Sequence, residues 1–243
     1  MLRRTAVIVN RQKSSRNWLH KMKKIRLIAL SVAAFVLAQA PAHAVPVYST
    51  DFSTTPYTGW TVSGSSTNQT GVLGGINNTS GGTSSATLTF NSATATVAVL
   101  KFDLIGFGTL DGYFTDSASR SAYTDIFSVS SAGTTIFQGA LDTGWAGTDN
   151  ITLNTSGAIV SALTGTHDSS GSGTRTITMF INLVAGTNTL KFVYANLESF
   201  SNEQWGLDNL SITAVPLPAS LPLLGGALLG IGGLSRMRNR QRA

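Results

Sequence analysis

"TRTITMFINLVAGTNTLKFVYANL" occupies residues 174 to 197 and reads as two short alternating runs, 174–184 and 188–197, joined at a glycine. Alternation with a period of two marks a strand with one buried face, because successive side chains point to opposite sides of the backbone. Working outward, runs of the same kind stand at "SATLTF" (85–90), "TATVAVLKFDLIGF" (94–107), "DIFSVSS" (125–131), "TTIFQGAL" (134–141) and "GLDNLSITAV" (206–215). Helical periodicity is missing between them, and Ser, Thr, Gly and Asn dominate the links. The pattern predicts an all-β chain folded as a single antiparallel β-sandwich, jelly-roll-like, over residues 45–214. "SSAGTT" (130–135) and "VAGTN" (184–188) are compact glycine-containing links that suit hairpins between adjacent antiparallel strands. The polar, glycine-rich stretch 62–85 reads as a long loop or irregular edge.

The segments on either side are of a different kind. Before the domain, Lys23, Lys24 and Arg26 precede an apolar stretch from Leu27 to Leu37 and the small-x-small site Ala42-His43-Ala44. Residues 1–44 therefore read as an N-terminal extension and a secretory signal peptide, exported through the Sec machinery and cut by signal peptidase after Ala44. Residues 1–21 add basic charge without an apolar pattern, which leaves both Met1 and Met22 as starts. After the domain, Val215 to Ser235 carries no charge, and Leu217–Leu234 as a helix would extend roughly 27 Å, enough to span a bilayer as a transmembrane helix. Arg236, Arg238, Arg240 and Arg242 follow, and positive flanks stay cytoplasmic, so the domain would lie outside the inner membrane and the tail inside. Pro216, Pro218 and Pro222 stand at its start and five glycines interrupt it, which makes a weak helix behind an extended, protease-readable segment.

Val215-Pro216-Leu217-Pro218-Ala219, the Gly-Leu-rich span and the terminal arginines together resemble the VPLPA subtype of the PEP-CTERM sorting signal of exported Gram-negative proteins. The resemblance covers residues 215–243 and implies recognition and cleavage by an exosortase, a membrane-embedded cysteine protease-transpeptidase. It also implies a final location at the cell surface or in the extracellular matrix, with exopolysaccharide as a partner.

The net charge of +6 belongs to those two addresses. Residues 1–44 hold nine Lys or Arg and 236–242 hold four, whereas 45–214 hold four cations against all eleven acids, a net of −7. An acidic domain without a basic stripe does not suit phosphate backbones, which excludes nucleic acid as a partner. Cysteine is absent, which rules out disulfides, thiol catalysis and thiolate metal sites.

Within the domain, acids cluster at the ends of predicted strands: Asp51, Asp111, Asp125, Glu203 and Asp208, the last followed by Asn209. Carboxylate and amide oxygens converging at a sheet edge are the hard ligands that Ca²⁺ takes six to eight at a time. The same residue types also serve as turn residues and caps that bond their own backbone. Phe102-Asp103-Leu104-Ile105, Asp111-Gly112, Asp125-x-Phe127-x-Val129 and Glu203-x-Trp205-Gly206-Leu207-Asp208-Asn209 resemble a jelly-roll module frequent in PEP-CTERM proteins. That resemblance implies a structural calcium, expected at Asp208 with some of Asp51, Asp111, Asp125, Glu203 and Asn209, and in some relatives carbohydrate binding. Trp60, Trp145 and Trp205 could stack on sugar rings, with Trp205 the better candidate for the core and Trp145 for the surface.

No catalytic constellation is visible, and the chain is read as no enzyme. The only glutamates, Glu198 and Glu203, are not placed to flank a bond, and His167 beside Asp168 lies in a loop without a nucleophile elbow. The reading is an exosortase-sorted surface or matrix protein with a structural or adhesive sandwich. The alternative is a calcium-dependent carbohydrate-binding module.

Overall fold

A computed structural model describes residues 44–55, 57–66, 71–78, 80–114, 124–144, 147–165, 172–199 and 201–216. Residues Ala44–Pro216 make one compact unit, with thirteen strands in two sheets among the described residues. In the first sheet the order is β10 (Ile159–Val160), β11 (Ser172–Leu183), β6 (Thr96–Gly108), β13 (Glu203–Ala214), β4 (Leu73–Asn77) and β3 (Ser65–Ser66). β1 (Val45–Thr50) pairs with the C-terminal half of β13, beyond the point where β4 leaves it. The second sheet runs β2 (Trp60–Ser63), β5 (Gly82–Ser92), β12 (Gly186–Leu197), β7 (Ile126–Ser131), β8 (Thr134–Ala140) and β9 (Asn150–Asn154). Every ladder is antiparallel, so the fold is the all-β sandwich that the alternating runs predict.

The period of two determines what fills the space between the sheets. Leu100, Phe102 and Leu104 of β6 face Phe192 and Tyr194 of β12 and Phe127 of β7, and all six are completely shielded from solvent. Phe127 is the hub: its ring meets Phe102, Phe137, Tyr194 and Trp205 at centroid distances of 6.1, 6.4, 5.4 and 6.1 Å. Tilted and edge-on contacts of this kind add about 0.5–1.5 kcal/mol each to the area buried.

Two local expectations fare differently. "SSAGTT" is a hairpin: Ala132 and Gly133 take φ of 48° and 81°, the pair of positive values of a type I′ turn, and β7 pairs with β8 across it. "VAGTN" is not. β11 belongs to the first sheet and β12 to the second, so this link is a corner between sheets rather than a hairpin. Asn188 supplies the bonds that a ladder would otherwise make, accepting from Val184 N–H at 2.9 Å and donating to the Val184 and Gly186 carbonyls at 2.9 and 3.0 Å. A short glycine link between alternating runs suits either geometry; the choice is made by what each strand packs against.

The stretch 62–85, expected as a long loop or irregular edge, lies at an edge of the first sheet but is built of strands rather than a loop. It contains β3, the fully buried β4 and the first residues of β5. Glycines there signal close backbone approach rather than disorder: a Cβ on Gly206 of β13 would stand 2.8 Å from Gly74 Cα of β4 and 3.0 Å from the Leu73 carbonyl oxygen. Strands β1, β2, β9 and β10, short or half-exposed, also fall outside the seven predicted runs.

β13 carries the feature that decides the site. Glu203, Trp205 and Leu207 point inward, as do Leu210 and Ile212, so the inward positions change from odd to even. A bulge between Asp208 and Ser211 makes the change, with Asn209 in the left-handed region at φ 48°.

Candidate functional site

The residues from which a calcium shell is expected, Asp208 with some of Asp51, Asp111, Asp125, Glu203 and Asn209, separate into two groups, one on the outer face of the first sheet and one between the sheets. Glu203 and Asp208 lie on one strand, five residues and roughly 17 Å apart at ~3.4 Å per residue. Their opposite parity turns Glu203 inward and Asp208 outward. One ion cannot be reached by both.

The outward group comprises Asp51, Asp208 and Asn209, joined by Asp103, which the expected set did not include. Asp208 stands directly across from Asp103 in the β13–β6 ladder. The bulge swings the Asn209 amide between them, where Nδ2 donates to Asp103 Oδ2 at 2.9 Å and to Asp208 Oδ2 at 3.2 Å. Thr176 Oγ1 donates to Asp103 Oδ1 at 2.6 Å, and Asp208 Oδ1 accepts from Asn209 N–H at 2.6 Å. Asp51 closes a local turn, accepting from Ser53 N–H at 3.0 Å and Ser53 Oγ at 2.7 Å. Those bonds hold the Asp51 carboxyl below the usual carboxylate range, whereas partial burial, with Asp103 and Asp51 nearby, pushes Asp208 upward.

The inward group comprises Asp125 and Glu203, with Asp111 and Glu198 beside them at the end of the sandwich where β6 finishes and β13 and β7 begin. Asp125 is 0% and Glu203 1% exposed. Each spends one oxygen on a main-chain donor: Asp125 Oδ2 accepts from Asp111 N–H at 2.6 Å, and Glu203 Oε2 accepts from Glu198 N–H. Asp125 N–H returns a bond to the Asp111 carbonyl at 3.2 Å. Asn77, fully buried at the end of β4, donates to the Glu198 and Glu203 carbonyls and pins the strand ends together. Among the described residues, Asp125 Oδ1, Glu203 Oε1, Thr124 Oγ1 and the Tyr194 hydroxyl have no hydrogen-bond partner, and all four are shielded from solvent. Burial first, then the charges of Glu203, Asp111 and Glu198, push the Asp125 carboxyl up to about 9. Burial likewise pushes Glu203 up to about 7, against the downward pull of the Glu198 bond. The buried guanidinium of Arg175 is committed elsewhere, to Asp149 at 3.0 Å and to the Asp142 and Ser161 carbonyls at 2.7 and 2.8 Å.

Toward the other end of the strands a cleft of about 480 Å³ opens between β1, the 51–59 link and the last residues of β5. Tyr48, Tyr57 and Phe90 supply its apolar walls, Thr54, Thr89 and Asn91 its polar ones, and no charged side chain lines it. Tyr48 is fixed by Trp60, whose Nε1 donates to its hydroxyl at 2.9 Å. Trp60 itself stacks on Phe192 at 5.8 Å and meets Phe52 at 5.4 Å. Trp205 is fully buried and donates from Nε1 to Ser84 Oγ at 2.7 Å. Of the three tryptophans considered for sugar stacking, these two are therefore engaged with the protein's own rings and hydroxyls, and Trp145 lies outside the described residues.

Of the processing residues, Ala44 stands immediately before β1, and Val215 and Pro216 directly follow β13, where Val215 N–H donates to the Val97 carbonyl at 2.9 Å. Ala42, Leu217, Pro218, Ala219, the candidate membrane span and Arg236, Arg238, Arg240 and Arg242 lie outside the described residues, as does His167.

No family model matches the sequence, and no curated protein matches it. Among solved structures, the chain is similar to a GH26-CBM35 β-(1,4)-mannanase of Podospora anserina at 15% identity and a TM-score of 0.34, over 73% of this chain. It spans only 29% of that enzyme's length. A CBM35 from Cellvibrio japonicus Abf62 is similar at 13% identity and 0.30, covering 71% of this chain and 88% of its own. The CBM22-1 xylan-binding domain of Paenibacillus barcinonensis Xyn10C stands at 14% and 0.35, covering 74% and 100%. Likeness at this level transfers no role to any residue.

Proposed function

We propose that the chain is an exported surface or matrix protein, sorted by an exosortase through Val215-Pro216-Leu217-Pro218-Ala219, whose sandwich serves a structural or adhesive role. The observation that carries this reading is the ordered succession in the sequence: motif, uncharged span, then four arginines, immediately after the last strand. Signal peptidase, the Sec machinery and the inner membrane are its partners on the way out. The test is to follow the protein in a Gram-negative host with and without an exosortase. The reading requires a membrane-bound precursor that is shortened and released only when the enzyme is present and Pro216 and Pro218 are intact. Release that ignores both would leave an ordinary membrane anchor.

A specific observation favours carbohydrate as what the sandwich meets. The cleft beside β1 and β5 is uncharged and combines ring faces with hydroxyl and amide groups, the chemistry that suits a neutral sugar with one apolar face and many hydroxyls. Retention of the exported protein on exopolysaccharide from its host should be saturable and should fall about tenfold or more in Tyr57→Ala. Equal retention of the wild type and Tyr57→Ala would move any binding away from the cleft.

A further inference from the structure

Large apolar side chains left in water are few and unevenly placed. Among the described residues six are exposed, and Phe180, Val97 and Ile159 share the outer face of the first sheet, with Val184 continuing the row just past β11. The ladders make them neighbours. Phe180 stands across from Val99 of β6, Asn182 across from Val97, and Ile159 of β10 across from Thr178. Even positions of β11 and odd positions of β6 point outward here, so these side chains form one stretch of surface with Phe180, 54% exposed, at its centre. Single apolar residues are ordinary on a surface, but a contiguous group marks a site of contact.

We propose that this face is where the sandwich meets a phospholipid surface, with Phe180, Val97 and Val184 at the boundary of headgroups and acyl chains and the Lys101 ammonium at the level of the phosphates. The proposal rests on the reading of 217–234 as a membrane span and is independent of the glycan reading. The chain leaves the domain at this end: Val215 N–H donates to the carbonyl of Val97 itself, and only Pro216 separates that bond from Leu217, where the uncharged span begins. So short a link gives the sheet end no room to stand away from the bilayer. Charge is divided along the same axis. The strand segments at this end, 45–50, 85–102, 177–192 and 210–216, contain no Asp or Glu, whereas Asp111, Asp125, Glu198 and Glu203 gather at the opposite end. Along β6 the nearest acid, Asp103, is six residues from Val97, roughly 20 Å at ~3.4 Å per residue and so beyond a Debye length of about 8 Å. Lipid can therefore cover the apolar face without drawing the carboxylates of an acidic domain to anionic headgroups. Exposed Lys101, across from Thr178 and next to Phe180 on the sheet, suits that place, since its stem can lie along apolar surface while its charge reaches phosphate.

The chain has no cysteine, so single cysteines can be introduced and labelled one at a time. The experiment uses the full chain in vesicles of phosphatidylethanolamine and phosphatidylglycerol, with an environment-sensitive dye at Asn182→Cys on the apolar face or at Ser201→Cys, exposed at the acidic end. Carbonate extraction reports separately whether the chain is anchored. The chain should resist extraction. The dye at 182 should shift to the blue and be quenched by lipids that carry a nitroxide near the headgroup, and the dye at 201 should behave as in water. Adding Phe180→Glu to Asn182→Cys should abolish the quenching while leaving extraction and melting unchanged, because the side chain it replaces points out of the fold. Quenching that survives Phe180→Glu would overturn the role given to the apolar group. A water-like dye at 182 in a carbonate-resistant chain would overturn the docking and leave the anchor standing, as would equal quenching at 182 and 201. A blue-shifted, unquenched dye at 182 that turns water-like when the protein is diluted in lipid would overturn the docking in favour of a second copy on this face. Extraction by carbonate would overturn the anchor, and the docking with it.

Discussion

Two groups of acids, one on the outer face of the first sheet and one between the sheets, are alike in composition and opposite in circumstance. Asp51, Asp103 and Asp208 lie on the outer face, where an asparagine amide, a threonine hydroxyl, turn donors and water share their charge. Asp125 and Glu203 lie between the sheets, where each has one main-chain donor and one oxygen without a hydrogen-bond partner among the described residues. The difference teaches that a carboxylate's position at a strand end says little about its chemistry. The face it points to decides whether water neutralises it or whether a proton or a cation must.

The sharpest way to break this contrast is a pH series in chelator. Asp125 holds its proton up to about 9 in the folded chain but releases it near 3.8 when unfolded, and Glu203 does so at about 7 against 4.5. Between those values the folded state binds more protons, so each rise in pH favours unfolding. The stability carried by the protonated acids is complete below pH about 4, and is lost through about 7 for Glu203 and about 9 for Asp125. Urea titrations in EDTA should therefore rank stability at about pH 5 above pH 7 above pH 9. A flat profile would show that the inner acids are hydrated like the outer ones.

The next effect in size is that of Asp125→Asn. In chelator at about pH 8 it should stabilise the chain by about 1–3 kcal/mol, because the aspartate must take up a proton to fold at that pH whereas asparagine is neutral in both states. Chemical denaturation measures this directly, and destabilisation there would mean that the inner carboxylate already has a neutralising partner. Asp208→Asn should matter less. It removes a like charge across the ladder from Asp103 and should change stability by about 0.2–1 kcal/mol in the stabilising direction, read by the same denaturation at neutral pH. Asp51→Asn should leave the melting temperature unchanged, since its carboxylate is exposed and an asparagine oxygen can still accept from Ser53. A loss of stability there would show that the outer acids act as a unit and would erase the distinction.

Much of this contrast could have been read earlier. Glu203, Trp205 and Leu207 share odd parity, which places Glu203 on the core face and Asp208 on the other. Asn209 after Asp208 also marks the bulge that restores Leu210 and Ile212 to the core, because asparagine is among the few residues at ease with a positive φ. Asp103 lies in the run Phe102–Ile105 without any local sign of Asp208, since that pairing exists only through the β6–β13 register. Tyr194 and Arg175 gave no signal. A tyrosine and an arginine in alternating strands are ordinary, and only the stacking of the sheets places the hydroxyl and the guanidinium in a dry interior.

The sequence by itself determined that the domain is all-β, because alternation is a property of single strands and needs no partner. It also separated the basic ends from the acidic domain, a matter of counting along the chain. The tertiary structure alone decided that the link at 184–188 turns between sheets, that glycine-rich β4 fits against Gly206, and that Asp111 and Asp125 meet across fourteen residues. It decided, too, that two carboxylates lie beyond the reach of water. Each of these depends on which distant surfaces exclude solvent together, and pairing and burial over such separations arise from packing the whole chain rather than from the preferences of any local stretch.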